Sequence, residues 1–326
     1  MKTFIRQALR LCLALAFVPA ASAGDYPDRP VRIVIPYAAG GGTDIVARKL
    51  AVEVSNLLGQ SLIIENRPGA SGIIGVTAVT RAKPDGYTLL MTHSAPIIQN
   101  PYVFDKLAYD PHKELIPVVG VSRGQQVFVA HPSMPATNLK DFIAYAKSQG
   151  DKVAFGSWGQ GTVAHYAGDY LNKLAGLRMI HVPYSGSGQT VQAVIGGQVP
   201  VAFLDPATAR QQVQAEKLRA LAVAGDSRSP ALPDTPTFKE LGMPEMSPFG
   251  GWIGILAPAG TRPDVVAKVG DAVAKVVARE DIGVWMNERG FLPLGTKHQA
   301  FAAAIKEESE RWAGIFRAIG VEKQAQ

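Results

Sequence analysis

Short apolar runs alternate with longer amphipathic segments over most of the chain, a pattern typical of α/β proteins. Aliphatic and β-branched residues dominate the short runs, whereas apolar residues recur every three or four positions in the longer ones. The pattern predicts a parallel sheet with helices packed against it. In the first part of the chain the predicted strands are 31–35, 62–65 and 88–91, and the predicted helices are 45–58 and 73–81.

The first predicted helix has recognisable ends. Thr43 is its candidate N-cap, and Gly59 follows its last turn, where glycine commonly ends a helix. We expect one apolar face to pack on the sheet, because its members recur at helical spacing. The residues of that face are Val46, Leu50, Val54 and Leu57.

A second series of the same kind begins after an apolar run at 118–121. Its predicted strands are 127–130, 153–155, 179–182, 199–204 and 218–223, and its predicted helices are 139–148, 163–174, 189–195 and 207–216. A proline-rich stretch at 229–248 follows and contains a capping box formed by Thr237 and Glu240. The last predicted elements are a strand at 252–256 and helices at 265–279, 282–289 and 299–319.

Two such series predict two α/β lobes. The chain has 326 residues, 47% of them hydrophobic and 18% charged, which suffices for two packed cores. We expect lobe 1 to comprise 24–123 and 249–326, and lobe 2 to comprise 124–248. A cleft between two lobes is a favoured place for a ligand.

The N-terminal residues have the pattern of a secretory signal peptide. Lys2, Arg6 and Arg10 precede an apolar run, and Ala21-Ser22-Ala23 is a small-residue cleavage pattern. Removal of residues 1–23 lowers the net charge from +6 to +3, because three cations and no carboxylates are lost. No basic tract remains, and no other apolar run approaches the length of about 18 residues that a spanning helix needs, so we expect a soluble protein that binds no nucleic acid.

The only cysteine, Cys12, lies inside this predicted signal peptide. The exported chain therefore has no disulfide, no thiolate metal site and no cysteine nucleophile. Cys12 stands near the start of the apolar run, which is a poor place for a lipid-anchor cleavage site. We therefore expect free export to the periplasm.

A glycine-rich loop joins the first strand to the first helix. Consecutive glycines let backbone N–H groups converge, and the helix start adds unpaired donors and a partial positive charge. The loop could bind an anion, although an ordinary turn between strand and helix would explain the glycines as well. The candidate ligand-binding residues of this loop are Tyr37, Ala38, Ala39, Gly40, Gly41, Thr43 and Asp44.

The second lobe repeats this design after its strand at 153–155, with Thr162 as the candidate N-cap. Two helix starts, one per lobe, could hold an anion from opposite sides when the lobes close. We expect His165 to be neutral, because it lies at the positive end of a helix. Its role, ligand contact or structural, stays open, since the spacing shows no carboxylate partner. The candidates of this loop are Ser157, Trp158, Gly159, Gly161, Thr162 and His165.

Further candidates lie near the ends of other strands. The loop at 69–75 has GxxGxxG spacing rather than the GxGxxG of dinucleotide sites, so we expect a helix start lining the cleft. His93 and Ser94 follow the third strand and can donate hydrogen bonds. Asp205 either binds a ligand amine or hydroxyl or ties down loop N–H groups. Trp158 and Tyr184 are either walls of the ligand site or core residues.

Motifs of common catalytic and metal sites are absent from the sequence. It contains no GxSxG, Walker, HExxH or EF-hand pattern, and its six histidines include no i, i+4 pair. The sequence therefore favours a binding protein, without cofactor or metal, over an enzyme.

A set of motifs in a fixed order resembles the Bug receptors, the periplasmic solute-binding proteins of tripartite tricarboxylate transporters. The resemblance covers essentially the whole chain after residue 23. The motifs are Tyr26-Pro27, Gly40-Gly41 with Asp44, the runs 65–70 (ENRPGA) and 83–89 (KPDGYTL), His181-Val182-Pro183-Tyr184, Gly196-Gly197-Gln198-Val199, Pro236-Thr237 and the run 257–261 (APAGT).

The resemblance implies a type II periplasmic binding protein fold, two α/β lobes that close on a small organic carboxylate. It implies that the loops 37–44 and 157–165 hold the ligand through backbone amides and ordered water, and that Ser71, Ser94 and Asp205 help to line the site. The implied partners are membrane transporter subunits or a sensor domain, and we expect a monomer. Relatives often carry Phe and prolines in place of Tyr37-Ala38-Ala39, and a smaller residue in place of Trp158, which bears on the identity of the ligand.

Two other functions stay open from the residues alone. One is an exported, cofactor-free hydrolase that uses His165 and Asp205. The other is an interaction module that uses its ligand only as a conformational signal.

Overall fold

The computed structural model describes residues 26–323, so the predicted signal peptide lies outside the described residues. The strands are β1 Val31–Ile35, β2 Leu62–Asn66, β3 Thr88–His93, β4 Leu115–Arg123, β5 Gln126–Ala130, β6 Ala154–Ser157, β7 Ile180–Pro183, β8 Val201–Leu204, β9 Arg219–Ala224, β10 Trp252–Pro258 and β11 Leu292–Lys297. The α-helices are α1 Gly42–Leu58, α2 Ile73–Thr80, α3 Ala95–Ile98, α4 Asn100–Val103, α5 Pro111–Glu114, α6 Leu139–Gln149, α7 Val163–Ala175, α8 Ser187–Ile195, α9 Pro206–Gln214, α10 Pro263–Val277, α11 Glu280–Glu288 and α12 His298–Ile319.

The strands form two sheets, in the orders β11-β4-β10-β3-β1-β2 and β7-β6-β8-β5-β9. The α/β class is confirmed, and the sheets contain antiparallel strands in addition to the predicted parallel ones. Strands joined through helices are parallel, as in β2-β1-β3 and β7-β6-β8, whereas β10 and β5 run antiparallel to both of their neighbours. The reason is that β5 and β10 follow crossings between the sheets and enter without a helical crossover.

The boundaries of lobes 1 and 2 stay predictions, although the sheets divide the chain in a similar way. The first sheet takes its strands from 31–123 and 252–297, and the second from 126–224. Only Gly124 and Gln125 separate β4 in one sheet from β5 in the other. The C-terminal helix α12 packs on both groups of elements, because the Phe301 ring lies 4.9 Å from Trp252 of β10 and the Trp312 ring lies 6.1 Å from Tyr166 of α7.

Most predicted helices and strands are present, but two details of α1 differ. Its N-cap is Gly41 rather than Thr43, because the helix begins at Gly42, earlier than its apolar repeat suggests. Leu57 was expected on the packed face but is 45% exposed, whereas the next residue, Leu58, is buried at the end of the helix. The predicted C-cap, Gly59, has the left-handed conformation at φ 72°.

Local patterns missed several elements. The four-residue helices α3, α4 and α5 were not predicted, because they are too short to show a period. Strand β11 was not predicted either, because Pro293 and Gly295 interrupt its apolar pattern. His93 was expected to follow the third strand but lies inside β3, whereas Ser94 follows the strand as expected and precedes α3. The capping box forms, since the N–H groups of Thr237 and Glu240 bond to each other's side chains at 2.7 and 3.0 Å, but it closes a turn rather than a helix.

Candidate functional site

The loop between β1 and α1 presents backbone donors to solvent. Gly41 and Gly42 are exposed, and the N–H groups of the first helical residues have no acceptor within their own helix. Gly40 has φ 83°, a left-handed conformation that favours glycine. The exposed N-terminus of α1 therefore offers hydrogen-bond donors and a partial positive charge to an anion.

The side chain of Asp44 stabilises this loop through hydrogen bonds. Its carboxylate accepts hydrogen bonds from Gly40 N–H at 2.9 Å, Arg48 Nε at 2.9 Å and Asn66 Nδ2 at 3.0 Å. The Arg48 hydrogen bond is the largest of the effects that hold the pKa of Asp44 below its ordinary value. Asn66 Nδ2 also donates to the Tyr37 carbonyl at 3.1 Å. The buried Asp44 thus holds the loop in shape, with both oxygens occupied.

Tyr37 and His93 form a stacked pair beside the loop. Their ring centroids are 4.3 Å apart with an interplanar angle of 7°, and Tyr37 Oη lies 2.8 Å from Thr92 Oγ1. Burial lowers the pKa of His93 to about 4, so the ring is neutral near pH 7. His93 Nδ1 accepts a hydrogen bond from Ala95 N–H at 3.2 Å. The pair gives the loop an uncharged aromatic support.

A cavity of about 460 Å³, the central cavity, lies between the two sheets at the start of α1. Of the residues predicted to bind ligand, Asp205 lines it, together with Gly42 of the first loop. Its other lining residues are Ile45, Gly124, Gln125, Gln126, Pro206, Ala207, Gly250, Trp252, Ile253, Arg289, Gly290 and Phe291. The volume falls in the range of small-molecule sites.

Asp205 caps helix α9 at the wall of this cavity. Its Oδ1 accepts from Thr208 N–H at 2.9 Å, and its Oδ2 accepts from Thr208 Oγ1 at 2.7 Å and Ser187 Oγ at 3.2 Å. Of the two roles that the sequence left open, these contacts favour the tying down of a loop N–H.

The second glycine-rich loop uses two of its N–H groups within the protein. Gly159 N–H donates to Ser157 Oγ at 3.2 Å, and Gly161 N–H donates to His165 Nδ1 at 3.1 Å. The predicted N-cap, Thr162, accepts from His165 N–H at 3.4 Å. Ser157 is fully buried and lies 2.7 Å from His181 Nε2. This loop does not line the central cavity, so a joint grip by both loops stays a prediction.

His165 has a carboxylate partner that the sequence analysis overlooked. Its Nε2 lies 3.0 Å from Asp169 Oδ2, one helical turn along α7. Since Nδ1 accepts a hydrogen bond, Nε2 is the nitrogen that carries the proton. The His165 ring stacks on the His181 ring, with the ring centroids 3.9 Å apart. Burial lowers the pKa of His181 to about 4, and the nearby His165 acts in the same direction to a smaller extent. His165 and Asp169 border a separate cavity of about 420 Å³ beside residues 319–323.

The remaining candidates lie in different surroundings. Ser71 is exposed with φ 52°, and its carbonyl accepts from Asn100 Nδ2 at 3.1 Å. Ser94 is buried beside Gly251, where an added Cβ would lie 3.0 Å from Ser94 Oγ. Trp158 and Tyr184 are half-buried and pack against the hydrophobic core.

Most lining residues of the central cavity were not predicted, Gln126 and Arg289 among them. Nothing in the local pattern marks them, because they are distant in sequence from Gly42 and reach the cavity only through the arrangement of the sheets. Within residues 26–323, no helix is both long and apolar enough to cross a membrane, and no group of three or more potential metal ligands occurs.

Known proteins match this chain over most of its length. A family model described as the tripartite tricarboxylate transporter family receptor matches residues 46–321. The chain is 35% identical over 319 residues to a UPF0065 protein of Cupriavidus necator, covering 97% of this chain and 95% of the relative. It is 31% identical over 322 residues to protein BugT of Bordetella pertussis, covering 98% of each.

Solved structures show the same fold. Rpa4515 of R. palustris, solved with adipate, has 29% identity and a TM-score of 0.81, covering 92% of this chain and 100% of that one. The periplasmic binding protein BugD has 34% identity, a TM-score of 0.77 and the same coverage. MatC from Rhodopseudomonas palustris, with bound malate, has 33% identity and a TM-score of 0.74, covering 89% of this chain and 99% of that one. The predicted fold class is confirmed.

Proposed function

Because this chain belongs to the tripartite tricarboxylate transporter receptor family, we propose that it captures a small organic carboxylate and delivers it to the membrane subunits of such a transporter. The family match confirms the resemblance to Bug receptors. In this proposal the protein acts as a periplasmic monomer after removal of residues 1–23, and its lobes are 24–123 with 249–326 and 124–248.

The observation that carries the proposal is the exposed N-terminus of α1 at the central cavity. Gly41 and Gly42 present donors there, and Asp44 holds the loop with its charge already compensated. Each hydrogen bond to a charged group contributes about 1.5–3 kcal/mol. A few such bonds suffice for micromolar affinity, which requires about 8 kcal/mol net.

Two of the similar solved structures contain ligands, and these ligands support the same ligand class. Rpa4515 was solved with adipate and MatC with malate, and both ligands are small carboxylates. The second glycine-rich loop, with Ser157 to His165, is proposed to approach the ligand when the lobes close. Trp158, the bulky departure in that loop, then bears on which acid fits.

Calorimetry tests the proposal on the mature protein. Dicarboxylates, amino acids and aromatic acids should include at least one saturable ligand, while the corresponding neutral amides should bind far more weakly. Absence of measurable binding for every carboxylate tested would contradict the proposal.

A variant of the first loop tests whether that loop holds the ligand. Gly41→Val should weaken binding at least about tenfold, or about 1.4 kcal/mol, because its side chain blocks access to the N–H groups. The fold should tolerate it, since Gly41 has φ −76° and an added Cβ meets only the Ala38 carbonyl, at 3.6 Å. Gly314→Val is the control, because open space surrounds that position. Unchanged affinity in Gly41→Val would remove the loop from the site.

The hydrolase alternative has less support from the contacts. His165 pairs with Asp169, whereas Asp205 bonds to Thr208 and Ser187, so the two proposed catalytic groups do not pair with each other. Turnover of a bound acid that is lost in His165→Ala would nevertheless establish it. Small-angle scattering distinguishes the solute receptor from the interaction module. Compaction of the protein on ligand addition supports the receptor, and an unchanged scattering profile supports an interaction module that does not close on its ligand.

A further inference from the structure

The loop between α11 and β11 contacts both sides of the central cavity. Phe291 packs at the start of α1, where an added Cβ on Gly42 would lie 3.0 Å from Phe291 Cζ. Gly290 packs at the start of α9, where its own added Cβ would lie 3.0 Å from Pro206 Cβ. Arg289, which precedes these two residues, lines the same cavity as Gly42 at the start of α1 and Pro206 at the start of α9.

Arg289 has one edge of its guanidinium available. Nη1 donates to the Trp285 carbonyl at 3.1 Å and lies 3.5 Å from Glu288 Oε2, and the group lies 4.5 Å above the Trp285 ring. Within residues 26–323, Nε and Nη2 have no acceptor. A guanidinium edge of this kind matches the two oxygens of a carboxylate. The stacking on Trp285 restrains the side chain, which reduces the entropy that binding would cost.

Gln126 provides an independent sign of a missing polar partner. It is 8% exposed and lines the central cavity, and its buried carboxamide oxygen Oε1 has no hydrogen-bond donor within the described chain. Its neighbour Gln125, in contrast, donates to the Ser227 carbonyl at 2.6 Å. A buried acceptor without a donor is unfavourable, so a donor group of a ligand, such as a hydroxyl, would stabilise it, whereas a carboxylate has no hydrogen to offer.

The charges around the cavity favour a ligand with more than one anionic group. The N-terminus of α1 and Arg289 are both positive, while the carboxylate of Asp205 on the wall is engaged by Thr208 and Ser187. The lining also includes the apolar side chains of Ile45, Pro206 and Phe291.

We propose that Arg289 is a specificity-determining residue that binds the second carboxylate of a dicarboxylate ligand. One carboxylate lies at the N-terminus of α1, the second lies at the free edge of Arg289, and an apolar spacer packs between them. This assignment rests on the proposed carboxylate-receptor function and narrows its ligand class to acids with two anionic ends.

Calorimetry with matched acids tests this assignment. The probes are succinate, adipate and suberate, each paired with the monoacid of equal carbon number, butyrate, hexanoate or octanoate. The wild-type protein should bind one diacid more tightly than its monoacid. Arg289→Gln should weaken that diacid about 10- to 100-fold and the monoacid by less than about threefold, because only the diacid loses a charged hydrogen bond. Arg289→Lys should recover part of the loss, since lysine restores the positive charge but lacks the two parallel N–H donors of the guanidinium.

Arg262→Gln is the matched control, because Arg262 is also exposed and pairs only with Asp264 on the same helix start. It should change neither affinity. Equal losses for diacid and monoacid in Arg289→Gln, or no loss, would overturn the assignment of Arg289 while leaving the receptor function intact. Failure of the wild-type protein to bind any carboxylate would instead overturn the receptor function and this assignment together.

Discussion

The backbones of Gly124 and Gly250 are in close contact where the chain passes between the two sheets. A Cβ added to Gly250 would lie 2.4 Å from the Gly124 carbonyl oxygen, and one added to Gly124 would lie 2.6 Å from that of Gly250. Gly124 N–H also donates to the Gly251 carbonyl at 3.2 Å. The two connecting segments therefore approach more closely than any side chain would allow, next to the central cavity.

Replacement of Gly250 by alanine should destabilise the protein. Because the clash is with backbone rather than with a flexible side chain, we expect a loss of about 1–3 kcal/mol or more in the free energy of unfolding. Urea denaturation measures it. Gly314→Ala is the control, since it has open space inside α12 and should be neutral or stabilising by up to about 1 kcal/mol. Equal stabilities for Gly250→Ala and wild type would show that the two connecting segments can move apart to accommodate the added Cβ without loss of stability.

Gly290→Ala should weaken ligand binding by holding the α11–β11 loop away from α9. The added Cβ would lie 3.0 Å from Pro206 Cβ and 3.1 Å from Ala207 N. We expect about tenfold weaker affinity, or about 1.4 kcal/mol, mainly through faster release.

Gly295→Ala is the matched control for that variant. Gly290 and Gly295 have φ of 75° and 64°, so both substitutions carry similar backbone strain, but the nearest atom at Gly295 is 3.5 Å away. Surface plasmon resonance compares the two release rates. If both variants release ligand at the same rate, the contact between Gly290 and Pro206 has no part in retention.

Substitutions of Asp205 separate capping from ligand contact. Asp205→Ala should lower the free energy of unfolding by about 0.5–2 kcal/mol, because the N-cap bond to Thr208 is lost. Asp205→Asn should keep most of this stability and most of the ligand affinity, since asparagine is also a good N-cap. Thermal melts and calorimetry on both variants measure these effects. A stable Asp205→Asn protein that no longer binds ligand would mean that the carboxylate contacts the ligand directly.

Glu308 should make stability decrease as pH rises through the neutral range. The side chain is 4% exposed, and burial raises its pKa from 4.5 to about 7, although Arg123 lies 3.6 Å away and acts in the opposite direction. The native protein therefore binds more protons than the unfolded chain between these pH values, so its stability falls as pH increases there. The full effect above pH 7 is on the order of 3 kcal/mol.

Glu308→Gln tests this effect, because it keeps the shape and removes the charge. The variant should be more stable than wild type at about pH 8 and differ little at about pH 4.5, as measured by urea denaturation at both values. Glu310→Gln, an exposed neighbour on α12, is the control. His93 and His181 titrate in an overlapping range with the opposite sign, but they do so in all three proteins, so the difference isolates Glu308. A difference that is the same at both pH values would contradict the assigned pKa.

Sequence patterns predicted the candidate site only in part. The glycine-rich start of α1 was recognisable, because an N-terminus of this kind is encoded by consecutive residues. The local pattern also predicted the cap at Thr162, whose partner is three residues away. It did not show the pairing of His165 with Asp169, although their i, i+4 spacing was a usable signal.

By itself, the sequence determined the order of most strands and long helices, the glycine-rich helix starts and the resemblance to a receptor family, because periodicity, capping and motif order are properties of neighbouring residues. Only the tertiary structure decided which helix start opens onto the central cavity, that Asp205 bonds to Ser187, and that Arg289 and Gln126 line the same space. These relationships join segments that are far apart in the chain. They depend on how the two sheets pack and cross at Gly124 and Gly250, which no local pattern encodes.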